Sequence, residues 1–167
     1  MKRGVVLAAG AALAFVSAQV ASQTFDAQGR AIDGDTVAVD FRLLGVDAFE
    51  RRQLCRNTAG CWECGKAAQD FAADALRSKA ATISLKSNRS YGRPVATIII
   101  DGQDLGERMI RAGLAVPEVQ YLRDEPGRAR RYASAFAQAK AARAGAFSGS
   151  WIEPSRWRRG DRLRCGR

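Results

Sequence analysis

The sequence predicts an α+β fold, a small antiparallel barrel with helices packed on it. Three observations point there: short β-branched and apolar runs cluster early, helical periodicity appears between and after them, and no internal repeat is visible. A chain of 167 residues suffices for one domain with a real core and is too short for two ordinary ones.

Taken in order, residues 1–21 read as an export signal. Lys2 and Arg3 form a basic start, residues 4–16 are apolar and uncharged, and Val16-Ser17-Ala18 offers small or apolar residues for cleavage near Ala18, with Ala21 as the second choice. The apolar run is shorter than the roughly 18 residues of a membrane span. The mature protein is therefore expected to be secreted or periplasmic, without stable membrane association; an uncleaved anchor is the alternative. Residues 22–30 are a polar lead-in to a domain expected over 22–151. Ile32 and residues 36–39 suit a strand, and 41–46 a second, leaving only Asp40 and its neighbours for a very tight hairpin. Residues 55–64 read as a disulfide-held loop.

Ala68, Phe71, Ala72, Ala75 and Leu76 share one helical face, which predicts a helix over 66–79. Residues 81–86 alternate as a half-buried strand, 87–92 turn, and 95–100 form a strand stopped by Asp101-Gly102. A short helix over 105–112 ends at Gly113. Residues 116–127 are irregular. A third helix over 128–143 buries Tyr132, Ala135, Phe136 and Ala139. Residues 152–167 form a basic tail, partly ordered at best, which Cys165 is able to tie down.

Lys and Arg number 27 against 17 Asp and Glu, a net charge of +10. Such a field attracts polyanions: nucleic acid first, anionic membranes or cell-wall polymers as a further class. The chain has no histidine. That excludes Ser-His-Asp and Cys-His chemistry and any histidine base or metal ligand. The cysteines are Cys55, Cys61, Cys64 and Cys165; an even number behind an export signal reads as two disulfides, with three possible connectivities. Zinc and redox roles for the Cys61–Cys64 pair are disfavoured, since no second such pair and no thioredoxin-like pattern accompany it.

Candidate chemistry concentrates in residues 31–50, AIDGDTVAVDFRLLGVDAFE. In an extended segment Asp33 and Asp35 face one side, where their repulsion calls for a cation. A hard divalent ion suits such oxygen donors. A solvated turn is the ordinary alternative. Asp47 and Glu50 follow the next strand and are placed to return beside the first pair. Arg42 sits between apolar neighbours, where an arginine needs an anion or a structural acid partner. Arg93 alone is an ordinary turn arginine.

The ordered set AIDGDTV, FRLLGVDAFE, YGRPVATI and RAGLA resembles the thermonuclease family, the staphylococcal-nuclease-like domain, over residues 31–151. The loop QLCRNTAGCWECG is similar to that of secreted bacterial members. The resemblance implies a five-stranded OB-fold β-barrel with three helices, and a calcium-dependent nuclease, monomeric, that hydrolyses DNA and/or RNA, releasing the 5′-oxygen and leaving 3′-phosphate ends. It implies Asp35, Asp47 and the Ala48 carbonyl as Ca2+ ligands, with Asp33 in support. Glu50 is implied as the base for water, Arg42 and Arg93 as the grip on the phosphate, and Tyr91 and Tyr121 as the nucleotide pocket. It also favours Cys55–Cys64, leaving Cys61–Cys165.

Four features depart from the family. Ala48 needs only its carbonyl, Phe49 replaces a frequent proline and is expected to loosen the loop carrying Glu50, Arg89 stands where an acid is usual, and the interval from Asp35 to Arg42 is short. The rival to an enzyme is a non-catalytic OB-fold module that binds nucleic acid through basic and aromatic side chains.

Overall fold

The structure is a computed structural model that describes residues 24–77 and 80–165, without the side chains of residues 87–89. The expected export signal lies outside the described residues. So does the side chain of Arg89.

The chain is α+β, as expected. Its longest sheet joins β3 (Arg42–Leu43), β8 (Arg93–Ile100) and β7 (Ala81–Ser90), with β9 (Gln103–Asp104) on the far end of β8. β7 and β8 are antiparallel around Tyr91-Gly92, while β3 runs parallel to β8, with Arg42 opposite Val95. Two positive-φ residues, Asp101 at 52° and Gly102 at 73°, make the tight turn into β9, as the Asp-Gly pair predicts. β4 (Val46–Ala48) pairs with β10 (Ala115–Pro117), and β5 (Cys55–Asn57) with β6 (Gly60–Trp62).

These strands form separate small sheets among the described residues, not one closed five-stranded barrel. Turns divide the early apolar runs into strands of two or three residues, so each ladder is short. The expected strand 41–46 is one such case: Leu44 and Gly45 turn the chain between β3 and β4. Gly45 has φ 66°, and a Cβ there would lie 2.6 Å from the Leu122 side chain. Only glycine suits that turn.

The tight hairpin at Asp40 does not form. β2 (Val37–Val39) pairs instead with β1 (Gly29–Ala31), inside the expected lead-in, and Asp33-Gly34-Asp35 make the bend between them. Asp favours turns because its carboxylate takes a backbone N–H two residues on, and Gly because it lacks a Cβ; here Asp33 Oδ1 accepts the Asp35 N–H at 3.3 Å.

Four α-helices are described: α1 (Cys64–Leu76), α2 (Leu105–Arg111), α3 (Pro126–Ala141) and α4 (Pro154–Arg158). The first three match the periodic stretches; the fourth lies in the expected tail. α3 packs on α2 and β10, burying Tyr132, Ala135 and Ala139. Asp104 caps α2, accepting the Glu107 N–H at 3.2 Å, and also accepts the buried Tyr132 hydroxyl at 2.8 Å. Arg128 closes this cluster as the ion-pair partner of Asp104. The core gathers Ile100, Leu105, Ile110, Ala115 and Leu122 beneath the sheets. Cys55–Cys64 and Cys61–Cys165 form disulfides, the pairing the resemblance favoured.

Candidate functional site

β3 and β4 flank a single turn, and each is fixed by a different strand, β8 and β10. The turn brings Arg42 to Asp47, with Nη2 3.8 Å from Oδ1. Asp47 is only 4% exposed. A carboxylate so buried needs compensation by cations or donors. Arg42 supplies part of it and lies over the Tyr91 ring, 5.5 Å from its centroid.

Glu50 follows in a turn locked from beneath. Gln53, fully buried, takes the Glu50 N–H on Oε1 at 3.1 Å, and its own N–H donates to the Glu50 carbonyl at 2.6 Å. The start of α1 then approaches so closely that a Cβ on Gly65 would lie 1.6 Å from the Glu50 carbonyl oxygen. No other residue fits without moving that loop. Phe49 does not loosen it. The ring is 3% exposed and packs edge-on against Phe147 and Trp151, at centroid distances of 6.4 and 5.8 Å, so burial of an aromatic anchors the loop.

The main cation at these acids is Arg158, at the end of α4. Its guanidinium donates to both Asp47 oxygens at 2.8 Å and to Glu50 Oε1 at 2.7 Å. Such bidentate, charge-assisted bonds are among the stronger ones in proteins. They raise the Arg158 pKa above its ordinary value, the hydrogen bonds to Asp47 first, with burial opposing and Glu50 adding to the rise. Nearby, burial pushes the Glu153 carboxyl up, and the negative charges of Glu118 and Asp47 add to that.

A cleft of about 660 Å³ opens here, lined by Arg42, Asp47 and Arg158, with Tyr91 and Tyr121 at its edges. Tyr91 is 86% and Tyr121 65% exposed, so both rings offer free faces for stacking. Arg93 is exposed at the start of β8 and is not one of the described residues lining the cleft. Ala48 is half-buried within β4, opposite Ala115.

Asp33 and Asp35 are exposed in their bend. Hydrogen bonds from Thr36 first, then Asp35, hold the Asp33 carboxyl below its usual range. Among the described residues, no three acids come together in a group able to hold a metal ion. A calcium ion takes six to eight oxygens. The donors at Asp47 and Glu50 are of the right chemical kind, but three of their oxygens are held by Arg158. In this arrangement they do not fit the ion.

Sequence reasoning missed Arg158 and Gln53. Helix α4 has five residues, too short for periodicity to show. One signal was available: a Cys61–Cys165 bridge obliges the arginine-rich tail to return to the loop beside Glu50.

Residues 40–148, well over half of the chain, match a family model described as staphylococcal nuclease homologue. No curated protein matches the chain.

Proposed function

From its membership of the staphylococcal nuclease family, we propose that this protein is a nuclease, hydrolysing phosphodiester bonds of DNA and/or RNA in the cleft beside Asp47. The observation that carries the proposal is the meeting of Arg42 and Asp47 in one cleft with Tyr91 and Tyr121, and the Arg158 guanidinium that joins Asp47 to Glu50 beside it.

A phosphodiester is an anion and resists attack by water. Arg42 neutralises charge growing on the phosphoryl oxygens and orients the group by paired N–H donors. Asp47 holds the Arg42 guanidinium in place. Glu50, on its locked turn, orients a water molecule and takes its proton as oxygen attacks phosphorus. The P–O5′ bond breaks, the 5′-oxygen takes a proton from solvent while Glu50 returns its own to solvent, and a 3′-phosphate end remains. Tyr91 and Tyr121 stack on the sugar-base parts. Arg93 joins the grip on longer substrates that run past β8.

Calcium dependence is the finer part of the proposal. It is supported by the family resemblance and by the hard-oxygen chemistry of Asp47, Glu50 and the Ala48 carbonyl; it needs the β1–β2 bend to move in, since Asp33 and Asp35 do not group with these acids. It requires Arg158 to withdraw. Export to the periplasm or medium, and action as a monomer, complete the proposal; the disulfides suit an oxidising compartment. No described helix is long and apolar enough to cross a membrane.

The test is cleavage of DNA and of RNA by the purified, disulfide-bonded protein with calcium, followed by a chelator. Cleavage that stops on chelation is expected. Absence of cleavage with any divalent metal, in wild type and in Arg158→Gln alike, sinks the enzyme proposal and leaves a nucleic-acid-binding module.

A further inference from the structure

The segment 150–165 crosses the site as a strap fastened at both ends. At its start, Ser150 and Arg56 exchange backbone hydrogen bonds of 2.8 and 2.9 Å, and Gln53 Nε2 donates to the Ile152 carbonyl at 2.6 Å. At its end, Cys165 is bonded to Cys61, and the Arg56 guanidinium holds the Arg164 carbonyl. Between these points the strap is folded. Pro154 is buried, Arg156 pairs with Asp161 at 2.7 Å, and Arg162 lies 4.0 Å from the Trp157 ring centroid.

Arg158 stands between the two fastenings and presses its guanidinium onto Asp47 and Glu50. One side chain thus engages the two acids that the nuclease proposal assigns to metal and water. The same Gln53 that locks the Glu50 turn also grips the strap. The Glu50 turn and the start of the strap are therefore held by one buried amide. Arg158 remains charged at any physiological pH, so protonation does not release it. What can release it is a competing cation of higher charge, or loss of a fastening.

We propose that the strap is an autoinhibitory plug: Arg158 and a divalent cation compete for Asp47 and Glu50, and the Cys61–Cys165 bridge keeps the arginine close enough to compete. The proposal rests on the nuclease function proposed above. Its physical basis is a population shift. A site that is open only part of the time binds its ion more weakly by that fraction. The tether raises the effective concentration of Arg158 at the acids, as a short linker does for any second binding group.

The probe is terbium, a luminescent stand-in for calcium that the aromatic rings of the cleft can sensitise, titrated into the full disulfide-bonded chain. Arg158→Gln is expected to bind terbium about tenfold or more tightly than wild type, and Cys61→Ser/Cys165→Ser to fall between them. At limiting calcium, cleavage is expected to rise in the same order. The double cysteine variant keeps the proposal testable should Arg158→Gln fail to fold. Equal terbium affinity in wild type and either folded variant overturns the plug. So does a loss of cleavage in Arg158→Gln at unchanged terbium affinity, which makes Arg158 part of the phosphate grip. Tighter terbium binding without cleavage by any variant leaves the plug standing and removes the nuclease.

Discussion

Replacing Cys61 and Cys165 by serine cuts a bond between residues 104 apart in sequence. In the unfolded chain, a cross-link closing a loop of this size removes entropy worth about 4.7 kcal/mol of stability. Two effects in the folded state reduce that ceiling. The freed end of the strap gains conformational freedom, and the Ser150, Ile152 and Arg158 fastenings persist without the bridge. The expected loss is therefore about 2–4 kcal/mol. Urea unfolding followed by tryptophan fluorescence reads it, since Trp151 lies in the strap against Phe49 and Phe147. With an m-value of about 1–3 kcal/mol/M, the midpoint should fall by roughly 1–2 M. The m-value should rise, because the unfolded chain can expand further without the cross-link. Trypsin should also cut at the tail arginines sooner than in wild type. A variant whose midpoint and m-value both equal those of wild type refutes the view that this bridge fastens the tail to the loop beside Glu50.

Two further outcomes concern the core and the cleft. Tyr132→Phe removes a buried hydroxyl that donates to the Asp104 carboxylate and should cost about 1.5 kcal/mol by the same unfolding assay, since Arg128 and the Glu107 N–H remain on Asp104. Burial, opposed by Arg128, pushes the Tyr132 phenol up to about 12. Because the unfolded phenol ionises near 10, this residue's contribution is intact below about pH 10 and is lost between about 10 and 12, by roughly 2–3 kcal/mol in all. Tyr132→Phe should flatten that part of the stability curve, and an unchanged curve contradicts the assigned burial. Arg42→Lys should lower kcat/KM about tenfold or more, with little change in thermal stability, because a single ammonium loses the paired grip on phosphate.

The long helices α1 and α3 were legible because each repeats apolar residues over several turns, as Ala68, Ala72 and Ala75 do on α1, and the short α2 because Gly113 marks its end. The β8–β9 turn was legible because Asp101-Gly102 suits two successive positive φ angles. Asp33 and Asp35 were placed wrongly on an extended strand for the same kind of reason. Their turn chemistry, with Gly34 between them, outweighs the β-branched residues on either side. The departures from the family at Phe49 and in the short interval before Arg42 also read differently in three dimensions. Phe49 is held by rings about a hundred residues away in the chain, at Phe147 and Trp151. The interval contains no hairpin at Asp40, so its shortness does not strain one. Arg158 was invisible locally, since nothing around Trp157 marks one arginine among several. Its role arises from the fold returning α4 to β4, more than a hundred residues away in sequence.

The most direct test of the central claim sets Glu50→Gln beside wild type on the same nucleic acid, measuring cleavage and binding in parallel. The substitution keeps the shape of the turn, and the amide oxygen can still meet Arg158, but it cannot take a proton from water. The expected result is loss of cleavage with binding retained and still weakening steeply with salt. Equal cleavage by the two proteins would contradict the assignment of Glu50, and with it the catalytic site built around Asp47.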